Sequence, residues 1–409
     1  MYNTVFYIII VIIILDYLLE RWLDFLNAKN CVAQLPDELK GIYDEEKYKK
    51  SIDYEKVNNH FDLTTSTLDL ILIIFMLIFG GFAFVDNMAA NVSLNPIIKG
   101  LIFFGILGLA SDIIHIPFSV YDTFVIEEKF GFNKTTGKTF IFDKVKGWSL
   151  SIILGGGLGY VIFWFYYKTT DMFWIYSWIL VSAFMIFFVM FYSNLIVPLF
   201  NKQELLEEGE LKDAIKQFAD KVGFKLDNVF RIDGSKRSTK ANAYFTGLGS
   251  KKRIVLYDTL IKELTPNEIV AVLAHEIGHY KHKHTLQGMV LSIIQTGLTL
   301  FLVSIFLKVP ALSQALGVNH PSFHIGIIAF GILYTPFSLI IGLAMNVLSR
   351  KNEYEADRFA QQNFEAEHLI NALKKLSVNN LSNLTPHPIY VFFHYSHPTL
   401  LQRIKALKN

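Results

Sequence analysis

The sequence predicts a mostly α-helical membrane protein with seven transmembrane helices. Hydrophobic residues make up 52% of the 409-residue chain and charged residues 18%, whereas an ordinary soluble domain carries about 25% charged residues. The mean hydropathy is +0.36. A helix needs about 20 apolar residues to cross a bilayer, and seven runs approach or exceed that length. These runs are residues 2–19, 68–85, 97–118, 148–167, 172–200, 285–307 and 325–348.

Several of these runs contain residues that do not suit hydrocarbon. We expect Asp16 and Asp69 to lie near helix ends at the membrane interface, because a carboxylate inside the bilayer is costly without a partner or water. Asp112 and His115 are harder to place at an interface, and a hydrated interior is the alternative. Pro336 is expected to break the last run. The first run lacks a basic leader and a clear cleavage site, which favours a retained span over a signal peptide.

The connecting segments alternate in basic charge, which predicts the orientation in the membrane. Residues 20–63 hold seven Lys and Arg residues, residues 86–98 hold none, and residues 119–147 hold five. The segment 201–284 and the tail after residue 348 are also basic. Basic loops stay on the cytoplasmic side, so we expect the N-terminus outside and the C-terminus in the cytosol. Termini on opposite sides of the membrane require an odd number of spans, and seven satisfies this.

Charge and cysteine content exclude two classes of function. The net charge of +2 gives no strong basic field for a nucleic acid partner. Cys31 is the single cysteine, so neither an intrachain disulfide nor a thiolate metal cluster is possible. Any bound metal must therefore be held by His, Glu or Asp.

The stretch "LAHEIGHYKHKH" contains the metal motif H-E-x-x-H, formed by His275, Glu276 and His279. Residues i and i+4 share one face of a helix, so both imidazoles can reach one ion. The segment "TPNE" ahead of the motif predicts a helix start with a capping box. We expect His282 and His284, in the basic run after the motif, to meet lipid headgroups or water.

A catalytic zinc site uses three protein ligands and leaves one position open. Glu353 in "NEYEADRFA" can complete a His₂Glu site, the ligand set of thermolysin-type enzymes. Asp357 lies one helical turn further and can accept the free N–H of a ligand histidine. Glu355 points to another face and is the weaker candidate. The sequence thus predicts a gluzincin-like zinc metalloprotease domain with one Zn²⁺ per chain.

The chemistry assigns a role to the glutamate between the histidines. Glu276 lies beside the ligand face, so it can act as the general base that takes a proton from water. An additional donor is needed for the developing oxyanion. His397 or His394, in "FFHYSHPTLLQR", could supply it.

A different pattern precedes the metal motif. "NAYFTG" and "KRIVLYDTL" are aromatic and β-branched and are separated by Gly247, Gly249 and a basic pair. This predicts a β-hairpin. An exposed edge strand there could bind an extended peptide through backbone hydrogen bonds, with Asn242 on that strand. Ordinary sheet packing explains the pattern equally well.

The chain resembles the CaaX prenyl proteases, a family of integral-membrane zinc metalloproteases that trim farnesylated proteins. The matching stretches are "FVIEEKFGFNKTT", "NLIVPLFNK", "ANAYFTG", "KRIVLYDTL", "HEIGH", "SRKNEYEADRFA" and "HYSHPTLLQRIKAL", in this order over most of the chain.

The resemblance implies seven spans around a large water-filled chamber that contains the zinc site. It implies zinc held by His275, His279 and Glu353 with Glu276 as the catalytic base. It also implies that Asn242 and His397 line the substrate site and that Asp357 and Arg403 support the ligands. Phe130 departs from the histidine found in other members, away from the metal motif.

The predicted organisation alternates membrane and catalytic parts. Spans one to five with their cytosolic loops occupy residues 1–200, and a catalytic segment with the hairpin and metal helix follows in 201–284. Spans six and seven occupy 285–348, and residues 349–409 form the C-terminal catalytic segment with the third ligand.

The predicted partners are the lipid bilayer and a peptide or a prenylated protein, without nucleic acid. Two other functions are weighed against CaaX processing. One is a protease that removes membrane proteins in quality control without prenyl substrates. The other is a non-catalytic transporter or channel, which would need neither the H-E-x-x-H motif nor the distal glutamate.

Overall fold

The computed structural model describes residues 3–31, 35, 39, 41–42, 44–226, 228–247 and 253–409. Within these residues the chain is mostly helical, with one small sheet. The helices are α1 (Thr4–Asn30), α2 (Glu45–Ile78), α3 (Gly81–Val92), α4 (Pro96–Tyr121), α5 (Gly137–Leu150), α6 (Gly157–Thr169), α7 (Phe173–Leu195), α8 (Val197–Phe200), α9 (Glu210–Lys221), α10 (Asp258–Glu263), α11 (Pro266–Lys281), α12 (His284–Phe306), α13 (Pro310–Ala315), α14 (Phe323–Asn363), α15 (Ala366–Asn379), α16 (Pro388–His394) and α17 (Leu400–Lys408).

Five helical segments in the described part of the chain are long and apolar enough to cross a membrane. They are Glu45–Ile78, Pro96–Glu127, Gly137–Phe200, His284–Phe306 and Phe323–Asn363. The predicted count of seven is not reached for two reasons. Helix α1 carries Asp16, Glu20 and Arg21 in its apolar part, and one 64-residue segment contains both the fourth and the fifth predicted runs.

The 64-residue segment reverses direction near its middle. Thr170 has a φ of 44° between α6 and α7. The rings of Phe165 and Tyr176 lie 5.5 Å apart, whereas a continuous helix would separate residues at this spacing by about 16 Å. Helices α6 and α7 therefore pack against each other as a helical hairpin.

Two of the predicted runs differ from the structure in where the helix is interrupted. The second run, residues 68–85, is divided between α2 and α3 because Gly80 takes a φ of 67°. Pro336, in contrast, was expected to break the last run, but α14 continues through it for 41 residues. Such a helix is about 60 Å long, twice the thickness of the hydrocarbon core. It therefore reaches well beyond a single membrane span.

Two of the acidic residues within the spans, Asp69 and Asp112, have partners on neighbouring helices. Asp69 Oδ1 lies 2.8 Å from Nε2 of His115. Asp112 accepts hydrogen bonds of 2.8 Å from Lys144 Nζ and Trp148 Nε1. These contacts join α2, α4 and α5, so the carboxylates stabilise helix packing.

The described strands form one mixed sheet in the order β1-β2-β4-β3. They are β1 (Gln203–Leu205), β2 (Val229–Ile232), β3 (Ala243–Thr246) and β4 (Arg253–Tyr257). Strands β3 and β4 pair in antiparallel register, as the predicted hairpin requires. The proposed turn residue Gly249 lies outside the described residues, and β3 is an edge strand.

A buried core joins the sheet to α11. Phe224, Phe245 and Tyr280 contact one another, with ring centroids 5.2 to 6.0 Å apart, and so pack β3 against α11. Phe130, the predicted departure from the family, is buried against Tyr54 at 4.9 Å.

Candidate metal centre

The site is built where α11 crosses α14. The predicted capping box is present at the start of α11. The Thr265 side chain accepts a hydrogen bond from the Glu268 amide, the Glu268 side chain accepts one from the Thr265 amide, and Pro266 occupies the first helical position. Gly278 allows the close approach, because a Cβ added there would lie 3.0 Å from the Cα and the carbonyl oxygen of Ala356. Helix α14 thereby brings Glu353 over the face of α11 that carries His275 and His279.

Three possible ligand side chains converge at this crossing. Nε2 of His275 and Nε2 of His279 lie 3.1 Å apart. Glu353 places Oε2 at 3.4 Å from the first nitrogen and Oε1 at 3.2 Å from the second. Zinc binds such ligands at about 2.0–2.1 Å, so tetrahedral ligands lie about 3.3 Å from one another. The observed separations match this spacing.

The burial of these groups also fits a metal. Within the described residues, Oε2 of Glu353 is buried without a hydrogen-bond partner. A buried carboxylate oxygen without a donor is costly, and a cation at the convergence point would satisfy it. The donor set of two imidazoles and one carboxylate suits Zn²⁺.

Asp357 and Arg403 contact His275 at Nδ1, the ring nitrogen that does not face Glu353. Nδ1 of His275 lies 2.8 Å from Oδ1 of Asp357. Arg403 donates two hydrogen bonds to Asp357, of 2.9 Å from Nε and 2.6 Å from Nη2. This bidentate pair fixes the carboxylate, which in turn sets the orientation of the imidazole.

Burial and the Arg403 charge lower the pKa of His275, but the carboxylates of Asp357 and Glu353 outweigh them and raise it to about 9. The carboxylates thus create a strongly negative environment around this ring. The same environment favours a divalent cation, which competes with the proton for the nitrogen.

Glu276 lies beside the convergence point and lines a cavity of about 280 Å³. His279 and Phe245 line the same cavity. Because Phe245 belongs to the edge strand β3, the cavity extends from the predicted base to the predicted peptide platform. Asn242 lies just ahead of β3, is exposed, and accepts a hydrogen bond of 2.8 Å from the amide of Ala243.

The structure separates the two histidines near the C-terminus. His397 is 63% exposed and its Nε2 lies 3.3 Å from Oε1 of Glu353. His394 instead contacts Glu20 on α1 at 3.3 Å. His397 is therefore the one that reaches the candidate centre.

One expectation about the basic run after the motif is wrong. His284 is buried rather than exposed to lipid or water, and its Nδ1 lies 3.0 Å from Nδ1 of His279. Its Nε2 lies 3.1 Å from Glu355 Oε2. Lys283 reverses the chain with a φ of 60°, and no glycine marks this turn in the sequence. His282 is exposed, as expected.

Comparison with known proteins places these features in a family. Residues 205–409 match the profile described as peptidase family M48, and residues 24–202 match that described as CAAX prenyl protease N-terminal, five membrane helices. CAAX prenyl protease 1 of Saccharomyces cerevisiae is 35% identical over 92% of this chain and 88% of its own length.

The chain belongs to peptidase family M48. A CAAX prenyl protease 1 homolog of Oryza sativa is 36% identical over 97% of this chain and 95% of its own length. The crystal structure of S. mikatae Ste24p superposes with a TM-score of 0.92 at 34% identity and covers 99% of both chains. This M48 protein is therefore an integral-membrane metallopeptidase.

Proposed function

We propose that this M48 protein is a zinc endopeptidase that removes the C-terminal tripeptide from prenylated CaaX substrates. His275, His279 and Glu353 would hold one Zn²⁺ per chain. The convergence of these three side chains at separations of 3.1 to 3.4 Å carries the proposal. A bound zinc ion would polarise the scissile carbonyl and make water acidic enough to react near neutral pH.

Glu276 acts as the general base. Its carboxylate takes a proton from the attacking water while the oxygen bonds to the carbonyl carbon. It then gives that proton to the leaving amine as the peptide C–N bond breaks. Its place on the cavity wall beside His279 supports this role.

His397 donates a hydrogen bond to the oxyanion that develops on the carbonyl oxygen. Its exposed ring beside Glu353 can turn toward a substrate. A donor that strengthens only in the transition state raises kcat.

Strand β3 binds the substrate as an additional strand, with Asn242 at its start. The backbone groups on the free edge of β3 would hold an extended peptide in a fixed register. The cavity between Phe245 and Glu276 leads from this edge toward the metal centre. An aligned peptide would therefore present its scissile bond to the base.

We also propose seven spans: α1, α2, α4, α6, α7, α12 and α14, around a water-filled chamber. Asp69 on α2 pairs with His115 on α4, and ionisable groups within membrane-spanning segments face the bundle interior or a water-filled cavity rather than lipid. The basic loops favour an outside N-terminus and a cytosolic C-terminus.

The CaaX substrate class is inferred from the names of the relatives. The test compares hydrolysis of a farnesylated CaaX peptide with that of the same peptide without the farnesyl group. We expect cleavage of the prenylated peptide, loss of activity with a chelator, and recovery with Zn²⁺. Equal cleavage of both peptides would instead favour a quality-control protease, and no cleavage of either would contradict the proposal.

A further inference from the structure

A second group of metal-binding side chains lies beside the first. His282, His284 and Glu355 each place one ligand atom within 4.8 Å of the other two. The rings of the two histidines are nearly parallel, at 14° and 5.5 Å. This group has two imidazoles and one carboxylate, which is again a donor set that Zn²⁺ accepts.

The local fold forms this cluster. The left-handed backbone of Lys283 ends α11 and starts α12, so the histidines on either side of it face the same way. Glu355 projects from α14 on the side away from Glu353 and places Oε2 at 3.1 Å from His284 Nε2. All three side chains line an open cavity of about 500 Å³, which lets an ion reach them from solvent.

The cluster is connected to the catalytic centre through His279. When Nε2 of His279 faces the catalytic centre, Nδ1 of this ring carries the proton. The Nδ1–H group then donates a hydrogen bond to Nδ1 of His284, at 3.0 Å. A neutral His284 then carries its own proton on Nε2, which donates to Glu355 at 3.1 Å. This chain of hydrogen bonds orients His279 as a ligand.

A cation on Nε2 of His284 is incompatible with that chain. The ring proton must then lie on Nδ1, where it opposes the Nδ1–H of His279. Occupation of the cluster therefore weakens the orientation of His279. Lys351 Nζ, 3.8 Å from Glu355 Oε1, competes for the carboxylate and makes the cluster the weaker of the two sites.

We propose that His282, His284 and Glu355 form a second, inhibitory zinc site that acts through His279. The inference rests on the proposed function, because its effect requires a catalytic ion. At low free Zn²⁺ the catalytic centre is filled alone. At higher free Zn²⁺ the second site fills and activity falls.

Metal stoichiometry tests the site without reference to activity. The full-length protein in detergent is dialysed against buffered free Zn²⁺ and its metal content is measured. We expect wild type to bind two equivalents at high free Zn²⁺ and H282A to bind one. H368A, which removes a histidine on α15 from an ion pair with Glu365, should still bind two. A single equivalent in wild type, or two in H282A, would overturn the proposal.

Inhibition tests the coupling. Excess Zn²⁺ should inhibit wild type, and in H282A the inhibitory concentration should rise at least about tenfold, since even an outer partner is worth roughly 10–100-fold in metal affinity. E355Q should respond in the same way. Unchanged inhibition in both variants would contradict the coupling. E353Q tests the catalytic centre separately from the second site. If E353Q loses the tightly bound Zn²⁺, the proposed catalytic centre is supported. If E353Q retains the tightly bound Zn²⁺, the catalytic centre is refuted and the second site is not.

Discussion

His275 is hydrogen-bonded through Nδ1 to Asp357 Oδ1 at 2.8 Å, while its Nε2 faces Glu353. The two nitrogens of one ring therefore serve different purposes. One is fixed by the protein, and the other is free to bind a metal.

Replacement of Asp357 by asparagine should weaken metal binding. The amide can no longer act as a charged acceptor for the Nδ1–H, and it also loses the bidentate pair with Arg403. We expect zinc affinity to fall about 10–100-fold, as measured by competition with a metal indicator. D220N, an exposed change on α9, serves as the control. Unchanged affinity in D357N would show that this carboxylate does not support the ligand.

Replacement of Glu276 by glutamine should separate metal binding from catalysis. The variant keeps all three candidate ligands, so its zinc content should equal that of wild type. Because glutamine cannot accept a proton, kcat should fall about 10²–10⁴-fold. Turnover of the farnesylated peptide at the parent rate would refute the assignment of the base.

His397 and His394 offer a matched pair for the oxyanion role. We expect H397A to lower kcat about 10²–10³-fold with little change in KM, because the hydrogen bond forms only in the transition state. H394A should leave kcat close to wild type, since His394 contacts Glu20 on α1 instead. If H394A lowered kcat more than H397A, His394 rather than His397 would be the oxyanion donor.

Gly278 permits the helix crossing and should not tolerate a larger residue. In G278A the added Cβ meets the Ala356 backbone at 3.0 Å, and overpacking of this kind costs about 1–3 kcal/mol. Displacement of α14 also moves Glu353, so zinc affinity should fall together with thermal stability. G342A, where a Cβ would meet nothing within 4 Å, should leave zinc affinity unchanged and should not lower thermal stability, since alanine favours a helix over glycine.

The ion pair between Glu268 and Lys375, at 2.7 Å, should make stability depend on pH. Burial raises the pKa of Glu268, but Lys375 and the Thr265 amide outweigh it and lower the pKa from its ordinary value of 4.5. The stabilisation is therefore present above 4.5 and is lost as the pH falls through the lower folded-state pKa.

Thermal unfolding of wild type and E268Q checks this dependence. Glutamine retains the capping box and removes only the charge. Wild type should be more stable at neutral pH, and the difference should shrink as the pH falls below 4.5. A difference that stays constant with pH would exclude the ion pair as its source.

The sequence by itself determined the elements that depend on local pattern. Long apolar runs predicted membrane helices because crossing hydrocarbon demands them. The spacing of His275 and His279 placed both rings on one helical face, and Thr265 with Glu268 predicted where that helix begins. The antiparallel pairing of β3 and β4 was predicted from two aromatic and β-branched segments separated by glycines.

Tertiary structure alone decided how distant segments meet. The approach of Glu353 depends on the contact at Gly278, and the burial of His284 depends on the left-handed turn at Lys283. Pro336 remains inside α14 although proline usually interrupts a helix. The positions of Glu353 and His284 depend on contacts between residues far apart in the chain, and such contacts leave no periodic signal in a single sequence.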